Sequence, residues 1–350
     1  MENEKNRNNG HGMDLVSRYR GEIYGFLILW IMLFHGYILD VYFFSDVPVL
    51  KYAGIFINHG NAGVESFLLL SGISLYYSFQ RNRDIGQYVQ KRFLKVYLPV
   101  LIIGGISWII YLFLGQITLW QLVLNLSGIR VFFDGNQEIW FVALILVCYL
   151  LFPYIYAFIF KDESGISVLL RTAALMLLVM ILVYSVSVVP SAADTYKRTE
   201  IVLTRFPVFL LGCGLGKFVY EKRRISVIGW IVLAALCLCG FVLIEKYIFI
   251  NPFRRWTFTL AGAPLVFLLA LMMSKLPEQV RAAFRFLGQM SLELYVMHTM
   301  LRNFYIKDLL FFKCQPGSWK RYLLMIALSI ALSYPVLLFE KRIQRLIKKN

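Results

Sequence analysis

The chain has 350 residues, 59% of them hydrophobic and only 16% charged, and its 36 Lys and Arg against 20 Asp and Glu give a net charge of +16. Soluble domains carry about 25% charged residues, and the mean hydropathy here is +0.66, so an ordinary soluble globular domain is excluded. The basic residues are dispersed over many loops rather than gathered in one stripe, which points to lipid headgroups as their partners and away from nucleic acid.

Apolar runs of about 20 residues, the length that crosses a hydrocarbon core, lie near 22–39, 61–79, 98–115, 138–160, 168–189, 201–220, 226–246, 257–274, 286–305 and 321–339. They predict an all-α polytopic membrane protein of about ten transmembrane helices. There is no internal repeat and no low-complexity linker, so residues 1–350 read as one integral domain, with a polar head over 1–21 and a basic tail over 340–350. No small-residue cleavage site follows the first run, which is therefore not read as a cleavable signal. Lys and Arg concentrate in the head, "QRNRDIGQYVQKRFLK", "KFVYEKRR" and the tail. The positive-inside rule then places both termini in the cytoplasm. The five cysteines, Cys148, Cys213, Cys237, Cys239 and Cys314, show no metal-ligand spacing and read as small hydrophobes, so no metal is expected.

Within the first run, the stretch "LILWIMLFHGYIL" holds one histidine, His35, with no charged residue for several positions on either side. An unpaired polar group in an apolar setting costs about 2–7 kcal/mol. At a rise of about 1.5 Å per residue, His35 falls in the outer half of its span. The second span, "NAGVESFLLLSGISLYY", runs inward and brings Glu65 to a comparable depth. Before the third span, "QYVQKRFLKVYLP" places Lys91, Arg92 and Lys95 on successive turns of a short helix ending near Pro99. That helix reads either as a positive-inside anchor or as a phosphate clamp, since Arg and Lys bind phosphate through charge-assisted hydrogen bonds. In "FPVFLLGCGLGKF", Gly212 and Gly216 are four apart, which suits close helix approach better than a nucleotide loop. The ninth span, "FLGQMSLELYVMHTMLRN", puts His298 in the outer half and Glu293 deeper.

Two histidines and a carboxylate from three spans thus reach one layer, and ionisable groups inside membranes generally face the bundle interior and pair there. Each also has a structural reading: a histidine can bond a neighbouring backbone, and Glu65 can cap a helix. A transporter with a proton relay of His and Glu is the rival function. Against it stand the missing inverted repeat and the lack of matched broken helices.

In this order the strings resemble the membrane acyltransferase-3 family, ten-helix bacterial proteins that O-acylate glycans and other envelope molecules. The resemblance runs through "GFLILWIMLFHG", "GVESFLLLSGISL", "KRFLKVYLP", "EIWFVALILVCYLLFP", "RFPVFLLGCGLG" and "FLGQMSLELYVMH". It implies that His35 is the catalytic histidine and that Glu65 is the acidic residue ahead of Phe67, Ser71 and Gly72. Arg92 and Lys95 match an Arg-x-x-Arg pair, with Lys replacing the second Arg and Lys91 beside them. Trp140 matches the tryptophan of the fourth span, and Ser291 with His298 matches a late Gly-x-x-Ser…His string beginning at Gly288. Two departures from the pattern matter, at Tyr24 and at the pair Ile145 and Leu146. Tyr24 stands where an arginine is usual, and either Arg20, one turn earlier, takes that role or the role is absent. Ile145 and Leu146 stand where some members carry a carboxylate pair.

The resemblance implies transfer of an acyl group, most simply acetyl from acetyl-CoA, to a hydroxyl of a glycan or lipid-linked sugar at a bacterial cytoplasmic membrane. Lys91, Arg92 and Lys95 would bind the CoA phosphates, and Ser71, Trp140 and Ser291 would contact substrate. His35 would act as base or carry the acyl group transiently. Glu65 would fix the tautomer of His35, and His298 would complete the site.

Overall fold

A computed structural model describes residues 12–38, 51–162, 164–246, 251–306 and 319–347. Cys314, most of the head and the last three residues of the tail lie outside them. The described residues form helices and no strand, apart from an isolated bridge between Gly12 and Arg224. The ten principal helices are α1 (Arg20–Ile38), α2 (Ala62–Arg81), α3 (Ile85–Phe113), α4 (Trp140–Ile159), α5 (Gly165–Val188), α6 (Phe206–Tyr220), α7 (Val227–Lys246), α8 (Phe253–Lys275), α9 (Ser291–Ile306) and α10 (Trp319–Ile347).

Seven helical segments among the described residues are long and apolar enough to cross a membrane. Six of them contain or coincide with α3, α4, α5, α6, α7 and α8, and the seventh, Tyr322–Leu346, lies within α10. The three principal helices outside that set are α1, α2 and α9, which carry His35, Glu65 and His298. The ten apolar runs of the sequence each find a helix; of the three that bear these ionisable residues, α1 covers 19 residues, α2 covers 20 and α9 only 16.

Two boundaries differ from the sequence reading. The helix carrying Lys91, Arg92 and Lys95 begins at the Asp84 cap, whose carboxylate accepts from Gln87 N at 2.9 Å, and it does not stop at Pro99. It widens into a π turn over Val100–Gly104 and continues to Phe113. A wider turn accommodates a ring that lacks an N–H and crowds the preceding turn. The ninth run also divides: Glu278–Gln289 forms a separate helix, and the chain leaves helical geometry at Met290 before α9 begins.

Close approach of small residues sets the packing. A Cβ on Gly212 would lie 2.3 Å from the Leu69 carbonyl oxygen, and one on Gly72 would lie 2.6 Å from Cys213 N and Phe209 O. Gly216 likewise receives Tyr76. The glycine pair of α6 therefore presses its backbone onto α2, as close packing between membrane helices favours. α1 is held as tightly to the Glu278–Gln289 helix through Gly25 and Gly288. α1 and α2 run antiparallel, since Arg20 at the start of α1 reaches Ser74 late in α2 while Gly60 and Gly63, at the start of α2, meet Trp30, Ile31 and Phe34. One end of the bundle thus carries Arg20, Arg83 and Lys91, and the other carries Asn61, Arg205 and Trp140. The outer faces of α5 and α7 expose leucine, isoleucine and valine, as surfaces against lipid tails do.

Candidate active site

A cavity of about 1170 Å³ runs inside the bundle. It exceeds the roughly 300–1,000 Å³ of ordinary small-molecule pockets, which leaves room for an elongated ligand. At one end its wall includes Arg20, Lys91, Arg92, Lys95 and Lys341; toward the other it includes Asn61, Arg205, Arg255 and Arg302. His35 lines the same space. Lys91, Arg92 and Lys95 thus line the same cavity as the histidine. Arg92 lies 5.6 Å above the Tyr149 ring, a cation–π distance that fixes its stem. Arg20 donates to Ser74 Oγ at 3.2 Å, so its side chain stands at this mouth as well.

The two histidines meet directly. His35 Nδ1 lies 2.7 Å from His298 Nε2, with the rings 5.0 Å apart and nearly parallel. His298 Nδ1 lies 2.7 Å from the Leu294 carbonyl oxygen. A carbonyl can only accept, so this contact assigns the proton of neutral His298 to Nδ1 and leaves Nε2 as an acceptor. His35 Nδ1–H then donates to it, and the lone pair of His35 falls on Nε2. A backbone carbonyl one turn earlier thus sets the tautomer of both rings and puts the lone pair of the cavity-lining histidine on Nε2.

Glu65 is not part of that relay, contrary to the expectation from sequence. It is fully buried, and its Oε1 lies 3.0 Å from Nε of Arg205, itself 1% exposed. No aligned hydrogen bond accompanies this contact, so it is ionic in character. Arg205 also donates to Asn61 Oδ1 at 3.0 Å and to the Ile201 carbonyl at 3.2 Å, and its guanidinium lies 4.6 Å over the Trp140 ring. The reason for the difference is local: α6 packs on α2 and brings a buried cation to Glu65, and two such charges pair before either can serve a neutral imidazole. His298, which the sequence placed in the same layer, takes the tautomer-fixing position instead.

Ser71, Trp140 and Ser291 all line the cavity. Tyr24, which replaces the usual arginine, stacks on Phe67 at 5.1 Å. Ile145 is a buried apolar part of the wall. Glu293 and Glu340 of α10 line the basic end of the cavity together with Lys95 and Lys341.

Five residues of the site were not singled out from sequence: Arg205, Glu200, Arg255, Thr299 and Arg302. Arg255 binds Glu200 through two contacts of 2.8 and 3.3 Å. The available signal was position, since Arg205 opens an apolar run and Arg302 lies four residues after His298. A family model described as an acyltransferase domain matches residues 25–338. No curated protein and no solved structure matches the chain.

Proposed function

The chain belongs to the acyltransferase 3 family and is a multi-pass membrane acyltransferase; on that premise we propose that it O-acetylates a cell-envelope glycan or its lipid-linked precursor. Acetyl-CoA is the donor, and the protein works in a bacterial cytoplasmic membrane with both termini in the cytoplasm. The observation that most supports this reading is the continuity of the cavity, which reaches from Lys91, Arg92 and Lys95 to His35.

The division of labour follows from chemistry. CoA carries several phosphates, and cations at an open mouth bind them through charge-assisted hydrogen bonds. The thioester arm extends inward to His35. His35 Nε2 takes the proton of the acceptor hydroxyl as that oxygen attacks the thioester carbonyl, and later returns it to the leaving thiolate. His298 holds the ring of His35 in the required tautomer. Ser71, Trp140 and Ser291 line the space in which donor and acceptor meet, and the Glu65–Arg205 pair supports that wall from behind Trp140.

The test is direct. Purified protein in nanodiscs is given acetyl-CoA labelled on the acetyl group, and free thiol and labelled envelope glycan are followed. Thiol release above that of the His35→Ala protein is expected. A wild-type protein that neither releases thiol nor transfers label would overturn the reading.

A further inference from the structure

Thr299 and Arg302 are three residues apart on α9, hence on one face of the helix, and both line the cavity that His35 lines. Each keeps a buried polar atom without a hydrogen-bond partner among the described residues, Oγ1 of Thr299 and Nε of Arg302. For a threonine in a helix this is unusual. Thr172, Thr199 and Thr204 each return their hydroxyl to the carbonyl four residues earlier, at 2.7, 2.7 and 2.6 Å, the ordinary resting place of such a group. Thr299 is 1% exposed and does not. Arg302 makes no ion pair with a carboxylate among the described residues, whereas Arg205 and Arg255 are paired with Glu65 and Glu200. Glu138, which shares this wall, is already taken by Trp108 and Asn303.

An unpaired cation inside a membrane protein is costly and marks a functional position. Arg302 lies one turn beyond His298 on α9 and shares the cavity with His35. A cation beside a base that must itself become positive is unfavourable unless negative charge forms next to it. Resting on the acyl-transfer reading above, we propose that the Thr299 hydroxyl and the Arg302 guanidinium form the oxyanion receptor of this site.

The step balances as follows. The acceptor oxygen forms a bond to the thioester carbonyl carbon while its proton passes to His35 Nε2. The carbonyl π pair moves onto oxygen, and that oxyanion accepts from Thr299 Oγ1–H and from Arg302. When the carbonyl re-forms, the C–S bond breaks and the thiolate takes the proton from the His35 imidazolium. Donors placed where charge develops act on the transition state, and removing one typically lowers kcat by about 10²–10³-fold.

The experiment uses the full chain in nanodiscs with acetyl-CoA as donor and water as acceptor, and reads thiol release. Thr299→Val keeps the side-chain shape and removes the donor; Arg302→Met keeps the stem and removes the charge; Arg302→Lys restores charge without the planar fork. Thr299→Val and Arg302→Met should each lower kcat by about 10²-fold or more with donor KM within about threefold, and Arg302→Lys should recover part of the loss. Either removal variant turning over within tenfold of wild type, or a raised donor KM with unchanged kcat, would overturn the proposal. Where Arg302→Met does not fold, as judged by CoA binding, the Thr299→Val result decides. A wild-type protein without thioester turnover would instead sink the function proposed above, and is distinguished by needing no variant.

Discussion

His35 Nδ1 and His298 Nε2 stand 2.7 Å apart although 263 residues separate them in the chain. The contact joins α1 to α9, and with the Leu294 carbonyl behind it it aligns two imidazoles so that one serves the other. A hydrolase triad uses a carboxylate for the same positioning task. Here the partner is neutral, so it fixes orientation and tautomer without adding a negative charge to a membrane interior.

The first prediction concerns that pair. His35→Ala should lower thioester turnover by about 10²–10⁴-fold, the range for a lost general base, while the protein still accumulates in the membrane. His298→Ala should also be strongly impaired. The double variant should be barely worse than His35→Ala, because residues acting as a unit are non-additive. Turnover rates of the four proteins decide: losses that multiply would mean the histidines work separately.

The second concerns Glu65 and Arg205, whose charges are 0% and 1% exposed. Removing one member of a buried ion pair costs about 3–5 kcal/mol, since the other is left uncompensated. Glu65→Gln and Arg205→Met should each lower the Tm of the detergent-solubilised protein. Combining them should lower it less than the sum of the two. Equal and additive drops would show that the charges do not depend on each other.

The third addresses the basic mouth. Arg92→Ala or Lys95→Ala should raise donor KM more than it lowers kcat, as expected when uniform binding is lost. Arg223, exposed and paired with Glu221 at 3.0 Å, serves as the control, and Arg223→Ala should leave both constants unchanged. Steady-state kinetics with acetyl-CoA separates a phosphate clamp from charge that merely orients the protein.

The fourth tests orientation. Arg83 precedes α3 at the basic end and Gln116 follows it at the opposite end, both exposed. Gln116→Cys should react with a membrane-impermeant maleimide in intact cells, and Arg83→Cys only after permeabilisation. The reverse labelling would invert the sidedness inferred from Lys and Arg placement.

The transmembrane pattern was legible because apolar runs of fixed length report burial in lipid directly. His35 and His298 were legible for the opposite reason: an imidazole in such a run stands out. Their contact was not, since depth estimated from residue count gives the layer of a side chain but not the azimuth of its helix. The same limit sent Glu65 to the wrong partner. Its true partner, Arg205, sits at the edge of an apolar run, where an arginine looks like any interfacial anchor. Thr299 gave no sequence signal, because only a failed hydrogen bond distinguishes it from the threonines that bond their own helix. The continuation of α3 past Pro99 was hidden because proline chemistry favours a stop, and only the π turn shows how the helix runs on.

The last prediction joins packing to the site. Gly212 touches the α2 backbone so closely that a Cβ there would lie 2.3 Å from the Leu69 carbonyl oxygen. No rotamer relieves a contact between Cβ and backbone, so Gly212→Ala must push α6 away from α2. Glu65 lies on α2, and Arg205 directly precedes α6, so the same displacement pulls at the buried ion pair. Gly212→Ala should therefore lower both Tm and turnover, with a stability loss of about 1–3 kcal/mol, typical of overpacking. Gly105 is the counter-case: its Cβ would meet only Leu126 Cδ2 at 3.8 Å, an ordinary contact, within a helix. Gly105→Ala should be neutral or stabilising by up to about 1 kcal/mol, because it removes backbone freedom from the unfolded chain. Thermal unfolding and thioester turnover of the two variants, side by side, separate a glycine required for contact from one that is merely present. Equal behaviour would show that α2 and α6 do not need their close approach.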